Sequence, residues 1–120
     1  MNTLPKSERV SGKAAVSALM SKGRWGFARG LKYCYLRNED DGAAVNRIMV
    51  SVPKRLFKRA VKRNLLKRRL RESYRTQKHL LPPSGIDLLL LYNSQEMMDY
   101  PSIACEVEGI LKKIGYEGQL

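Results

Sequence analysis

The sequence predicts an α+β fold in which a four-stranded sheet, mixed or antiparallel, packs with three helices as a two-layer sandwich. Three observations predict it: short segments that alternate apolar and polar residues, apolar stripes at helical spacing, and breaker residues between them. Their order along the chain is α-β-β-β-α-β-α, which is typical of one sheet with helices packed on it. A length of 120 residues and a hydrophobic share of 43% suit a single domain, residues 1–120, with a small core.

The first helix is predicted over residues 11–22. Ser11 can cap its start, and Gly23 is a residue type that commonly ends a helix. Three residues at helical spacing form its apolar stripe: Val16, Leu19 and Met20. The helix is therefore expected to bury one side.

Two segments with strand character follow this helix. Residues 24–30 predict an aromatic turn or a short edge strand. Trp25 and Phe27 are expected to pack in the core or along the edge, and the less favoured alternative is that they are platforms for bases. Residues 31–36 alternate, which predicts a strand. Its two faces carry Leu31, Tyr33 and Tyr35 on one side and Lys32, Cys34 and Leu36 on the other.

A loop and a third strand lead to the most charged part of the chain. Residues 38–43 predict a hairpin loop, and residues 46–52 predict a strand that Pro53 ends. The expected core face of this strand carries Ile48, Val50 and Val52.

Residues 54–75 carry most of the charge of the protein. Eleven of these 22 residues are Lys or Arg and only Glu72 is acidic, so the segment holds +10 of the net charge of +12. The charges alternate with apolar residues at helical spacing, which predicts a folded basic helix from about Phe57 to Lys78. The residues expected to pack on the sheet are Leu66, Leu70 and Tyr74.

One face of this helix is predicted to bind a polyanion. It carries Arg63, Asn64, Lys67, Arg68, Arg71 and Arg75. A second set, Lys58, Lys62 and Arg69, lies on another side and is expected to be only solvated. Solvated helix faces usually mix charges of both signs to limit repulsion, and this one is almost free of acids. Nucleic acid is the preferred partner. An anionic membrane is disfavoured because no separate amphipathic helix has a bulky apolar face opposite its lysines.

The C-terminal third predicts a buried strand and a last helix. Residues 81–85 predict a breaker loop, and residues 86–92 are apolar enough for a central strand covered on both faces. Pro101 fits the first turn of the last helix. The core stripe of that helix is Ile103, Val107, Ile110, Leu111 and Ile114.

No residue pattern in the sequence predicts a catalytic or metal site on the protein. His79 is the only histidine, Cys34 and Cys105 form neither a close pair nor a metal-ligand spacing, and no Gly-rich phosphate loop is present. Neither a signal-peptide core nor a membrane-spanning stretch is evident. A cytoplasmic, non-catalytic protein with buried thiols is therefore expected.

Residues 51–75 resemble the signature of the bacterial ribonuclease P protein component. The positions that match its basic pair, small apolar pair, Arg-Asn motif, second basic pair and last Arg are Lys54, Arg55, Ala60, Val61, Arg63, Asn64, Lys67, Arg68 and Arg71. Weaker matches, which support the signature by their order, are Arg9, Gly23, Arg47 and Asp87. Together they extend the resemblance to roughly residues 9–114, the expected ordered core.

Three features depart from the family's pattern. Leu65 stands where the motif continues with a second Arg, which removes one expected RNA contact. The chain is one residue longer between its basic pair and its small apolar pair, where the family's usual glycine is absent. Val16 and Met20 stand where the family often has phenylalanines that line a cleft for single-stranded RNA.

The resemblance implies a subunit of a ribonucleoprotein enzyme that removes the 5′ leader from precursor tRNA. Its RNA subunit carries out the hydrolysis and mainly holds the Mg²⁺, while the protein binds that RNA and lowers the Mg²⁺ requirement. The implied RNA-binding residues are Lys54, Arg55, Arg63, Asn64, Lys67, Arg68, Arg71 and Arg75. The expected lining of the leader cleft is Val16, Met20, Tyr33 and Tyr35.

The same resemblance implies further properties. The strand–helix–strand crossover would be left-handed, as in some ribosomal proteins, whereas the general rule favours the opposite hand. The expected partners are ribonuclease P RNA and precursor tRNA, with no membrane and no obligate protein partner.

Three other functions compete with this interpretation. The main alternative is a ribosomal or general RNA-binding protein of similar fold, which would add nothing to leader removal. A DNA-binding protein is disfavoured because no helix-turn-helix pair or dimer seam is evident. A protein nuclease would need a metal-ligand cluster, which the sequence does not predict.

Overall fold

The fold is that of a computed structural model, which describes residues 8–10, 12–37, 45–81 and 85–118. Its helices are α1 (Lys13–Lys22), α2 (Ala60–Gln77) and α3 (Tyr100–Gly118), and its strands are β1 (Arg24–Ala28), β2 (Leu31–Arg37), β3 (Arg47–Ser51) and β4 (Ile86–Tyr92). A short 3₁₀ turn, Lys78–Leu80, follows α2. The predicted α+β class and element order are confirmed.

The four strands form one mixed sheet in the order β1-β2-β4-β3. β2 pairs antiparallel with both β1 and β4, whereas β3 pairs parallel with β4. Every residue of β4 except Leu91 is buried, so the prediction of a central strand covered on both faces is confirmed. β1 and β3 are the outer strands, and Arg9 adds a parallel bridge to Ile48 of β3.

Helices α2 and α3 cover one face of the sheet and form the main core with it. The predicted stripe of α2 is confirmed, because Leu66, Leu70 and Tyr74 are buried. The predicted stripe of α3 is buried as well: Ile103, Val107, Ile110, Leu111 and Ile114. The sheet contributes alternate residues to this core, among them Leu31, Tyr33, Ile48, Leu88 and Leu90, and Val52 joins them just after the end of β3.

Helix α1 lies on the opposite face of the sheet and covers only part of it. A second, smaller cluster there joins Leu19 to Cys34 and Leu89, with Val16 packed against it. Gly23 ends the helix as predicted, and its N–H donates to the Leu19 carbonyl at 3.0 Å. A Cβ at Gly23 would lie 2.4 Å from Cys34 Sγ, so the close approach of helix and strand requires glycine here.

Element boundaries differ from prediction by a few residues. Helix α2 begins at Ala60 rather than near Phe57, because Phe57 is buried and its ring packs edge-on against Tyr92, with the centroids 5.8 Å apart. The N-cap of α1 is Gly12, while Ser11 lies outside the described residues. Residues 38–43 and 82–84, predicted as loops, also lie outside them.

Helix α2 should be held in place by its apolar stripe, and Leu70 tests this. Leu70 is fully buried, so we expect Leu70→Ala to lower the free energy of unfolding by about 2–5 kcal/mol. Leu65→Ala, an exposed position on the same helix, should change it by no more than about 0.5 kcal/mol. Urea unfolding measures both, and equal losses would show that the stripe does not anchor α2.

The described residues include no helix long and apolar enough to cross a lipid bilayer.

Candidate nucleic-acid interface

The outward side of α2 is strongly cationic in the structure. Of the six residues predicted on this face, Asn64, Arg68 and Arg71 are exposed, whereas Arg63, Lys67 and Arg75 are half-buried. Residues four apart rise about 6 Å along a helix and stay on one side of it. Lys67, Arg71 and Arg75 therefore form one row of cations. Beside it, the neutral amide of Asn64 and the guanidinium of Arg68 form a second row.

The start of α2 adds positive charge to this face. Lys54 and Arg55 are exposed in the turn after β3, and Lys58 and Arg59 are exposed just before the helix. The first turn of α2 contains no acidic residue, and the side chain of Arg59 at the N-cap makes no capping hydrogen bond. The positive end of the helix dipole therefore reinforces the surrounding cations instead of being neutralised.

Two of the predicted contacts also hold the interface together. Arg63 Nη1 donates to the carbonyls of Phe57 and Lys58, each at 2.8 Å, and so fixes the turn that leads into α2. Arg75 forms an ion pair with Glu72 one turn earlier, and its hydrogen bond lowers the pKa of the Glu72 carboxyl. These two arginines position the surface as well as charging it.

Arg69 has a structural contact rather than a solvated one. Its Nη1 donates to the Met98 carbonyl at 2.6 Å and ties α2 to the segment before α3. Lys58 and Lys62, the other members of the second set, are exposed. The expectation that this set is only solvated is therefore wrong for Arg69, because its guanidinium donates a hydrogen bond to a main-chain carbonyl beside α2.

Arg9 also lies on this surface, although the sequence did not predict it as an RNA-binding residue. It lines a cavity of about 160 Å³ together with Arg71 of α2 and apolar residues of β3. The main-chain N–H of Val10 donates to the Ile48 carbonyl at 2.9 Å, which places Arg9 beside the outer strand. Its signal in the sequence was the Arg-Val pair ahead of the first helix.

The second candidate surface is the open part of the sheet face beside α1. Val16 packs onto this face and Met20 of the same helix is exposed. Paired residues of β1 and β2 project to the same side, so Trp25 and Phe27 lie on this face with their partners Cys34 and Lys32. The predicted edge strand is confirmed as β1, and both rings lie on it. Their packing in the core is the alternative that is wrong, since both rings are exposed.

Tyr33 and Tyr35 do not share this face with Val16 and Met20, which corrects the predicted cleft lining. Tyr33 is only 3% exposed and belongs to the main core under α2 and α3. Tyr35 packs against the same core. The alternation of β2 was predicted correctly, but the side on which α1 lies was not, because side-chain alternation alone does not show which helix covers which face.

The two cysteines should differ sharply in reactivity. Cys34 is buried and its thiol donates to the Leu19 carbonyl at 3.2 Å, and burial raises its pKa to about 11 despite the opposing charge of Lys32. Cys105 is exposed. We expect iodoacetamide near pH 8 to add one label to the native protein and two in denaturant, counted by mass spectrometry, because the thiolate is the reactive form. Two rapid native labels would contradict the burial of Cys34.

The described residues contain no group of three or more His, Cys, Asp or Glu side chains that could hold a metal ion. His79 is exposed, as expected for a surface histidine. The described side chains of the two surfaces are mainly cations and aromatic rings, whereas Mg²⁺ prefers carboxylate and other oxygen ligands, so these side chains do not fit a Mg²⁺ site.

The structure is a small α+β domain whose most charged feature is one cationic helix face. Proteins of this class are suited to binding RNA. The family model described as Ribonuclease P matches residues 4–115. The chain belongs to the family of ribonuclease P protein components.

Known proteins similar to this chain carry the same description. The ribonuclease P protein component of Borrelia hermsii is 35% identical over 106 residues, which cover 88% of this chain and 86% of that protein. The Porphyromonas gingivalis protein is 40% identical over 78 residues, 65% of this chain but only 57% of its own length. A solved structure of the Staphylococcus aureus protein matches with a TM-score of 0.75 at 25% identity, covering 91% of this chain and 96% of that one.

Proposed function

We propose that this protein is the accessory subunit of a ribonuclease P ribonucleoprotein and assists removal of the 5′ leader from precursor tRNA. The observation that carries the proposal is the cationic face of α2, in a chain that belongs to this family. The protein provides binding and positioning, and the RNA subunit provides the catalytic centre. A cytoplasmic location follows from this role.

The face of α2 binds the ribonuclease P RNA in this proposal. Its residues are Lys54, Arg55, Arg63, Asn64, Lys67, Arg68, Arg71 and Arg75, and Arg9 joins them. Arginine guanidinium groups donate to phosphate oxygens in a planar fork, and lysines add point charge. Asn64 adds an amide that can both donate and accept hydrogen bonds.

The sheet face beside α1 holds the leader of the precursor tRNA. Its described lining includes Val16 and Met20 from α1 and Lys32 from β2. Single-stranded RNA is commonly bound by a cationic groove with exposed apolar and aromatic side chains, and this face has that composition.

Mg²⁺ is bound by the RNA subunit in this proposal, where it supplies the activation of water for phosphodiester hydrolysis. The cations of α2 reduce repulsion between the phosphates of the RNA subunit and those of the substrate. The protein thereby lowers the Mg²⁺ concentration that assembly requires.

Site-specific photo-crosslinking tests the two surfaces separately. A crosslinker at Arg68 should label ribonuclease P RNA, and one at Met20 should label the precursor leader. A crosslinker at Tyr116, an exposed residue near the end of α3, is the control and should label neither. Labelling of unrelated structured RNA with equal yield from Arg68 would favour the general RNA-binding alternative.

A further inference from the structure

The outer strand β1 displays two large aromatic rings on one face. Trp25 is 40% exposed and Phe27 is 69% exposed, and they stand two residues apart, so both project to the same side of the sheet. This is the side on which α1 lies, but α1 packs over Cys34 and Leu89. The two rings are therefore outside the area that α1 covers.

Lys32 places a fixed positive charge between these rings. Its ammonium lies 4.8 Å from the centroid of the Trp25 ring and 5.3 Å from that of Phe27, within the range of cation–π attraction. Among the residues that the structure describes, no carboxylate forms an ion pair with Lys32. A cation held by ring faces instead of by an acid keeps its charge available to an anion.

We propose that Trp25, Lys32 and Phe27 form a stacking platform for the bases of single-stranded RNA. Exposed aromatic rings stack on any base, and an adjacent cation binds the phosphate that links two bases. The proposal rests on the proposed function and deepens it, because it assigns to these residues the part of the leader that extends past α1.

The platform is continuous with the basic turn at the other edge of the sheet. Lys32 pairs with Leu91 of β4, and Leu91 pairs with Ser51 at the end of β3. The chain then continues to Lys54 and Arg55, both exposed. Three interstrand spacings, about 14 Å, separate β1 from β3, so one extended RNA strand can contact the rings and approach this turn.

A second copy of the chain is the competing occupant, because β1 is an outer strand with one unpaired edge. Two copies would bring together faces that each carry Lys32, in a protein of net charge +12. Like-charge repulsion opposes that pairing, whereas it favours a polyanion. RNA is therefore the occupant that the charge pattern supports.

Trp25 is the only tryptophan in the chain, so its fluorescence reports directly on the platform. Titration with a single-stranded oligoribonucleotide of leader sequence should quench this fluorescence. Phe27→Ala should raise the Kd about tenfold through the loss of one stacked base. The control Tyr116→Ala removes an aromatic ring that is 66% exposed on α3 and should leave the Kd unchanged.

Three results would overturn the platform. They are an absence of quenching, a Phe27→Ala variant that binds like the control, and a protein dimer in sedimentation that Phe27→Ala dissociates. The last result would assign these rings to a second copy of the chain.

Leader removal separates failure of the platform from failure of the proposed function. With ribonuclease P RNA, the wild-type protein should accelerate cleavage of a precursor with a long leader more than one with a single-nucleotide leader, and Phe27→Ala should lose that difference. If Phe27→Ala keeps the full difference, the platform is wrong while the function stands. If the wild type accelerates neither substrate but is still quenched, the function is wrong while the platform stands.

Discussion

Replacing Arg68 and Arg71 together by alanine should weaken binding to ribonuclease P RNA by roughly 100-fold. Both side chains are exposed on the cationic face of α2, and neither forms a hydrogen bond or an ion pair with another described residue. Loss of two charge-assisted contacts of about 1.5 kcal/mol each gives this factor. The slope of log Kd against log salt should fall by nearly two units, because about two fewer counterions are released.

A matched control separates local contacts from net charge. The double variant Lys112→Ala, Lys113→Ala also removes two positive charges, but from exposed positions on α3. The ion pair of Lys112 with Glu108 is exposed and contributes little to the free energy of unfolding. This control should keep nearly full affinity and slope. Equal losses in both double variants would mean that RNA responds to overall charge and that the face of α2 is not the interface.

Arg47→Ala should lower the free energy of unfolding by about 3–5 kcal/mol, the largest effect on stability that we expect from one substitution. Arg47 donates from Nε and Nη2 to the two carboxylate oxygens of Asp87, each at 2.7 Å. The Asp87 side chain is only 4% exposed. Without Arg47, its negative charge would stay buried and lose both of these hydrogen bonds. The pair joins β3 to β4, and β3 in turn leads into the basic turn.

Two comparisons test this assignment by urea unfolding. Arg75→Ala breaks the ion pair with Glu72, which is much more accessible to solvent than the Asp87 side chain, and should cost less than about 1 kcal/mol. Arg47→Met combined with Asp87→Leu should recover most of the loss, because neither charge is then left unpaired. A cost for Arg47→Ala as small as that for Arg75→Ala would show that the buried pair does not stabilise the fold.

Residues with helical or strand periodicity were predictable because burial imposes that periodicity. Leu66, Leu70 and Tyr74 lie four apart and are buried together, and the apolar run of β4 lies in the centre of the sheet. The cationic face of α2 was predictable for the same reason, since the side opposite a buried stripe faces solvent.

The cleft lining was not predictable, because it depends on which helix covers which face. The alternation of β2 separates Tyr33 from Lys32 but does not say that α1 lies on the side of Lys32. Arg63 and Arg69 show a second limit. Their carbonyl partners, at Phe57 and Met98, depend on how a turn and a distant segment approach α2, which periodicity does not encode.

Leader release from a precursor tRNA at low Mg²⁺, with the cognate ribonuclease P RNA and this protein, tests the central claim most directly. The RNA alone should cleave slowly, and addition of the protein should restore cleavage at the same phosphodiester bond, with the Arg68→Ala and Arg71→Ala double variant requiring more Mg²⁺. A protein that binds the cognate RNA but leaves its cleavage rate unchanged at every Mg²⁺ concentration would contradict the account and support a general RNA-binding role.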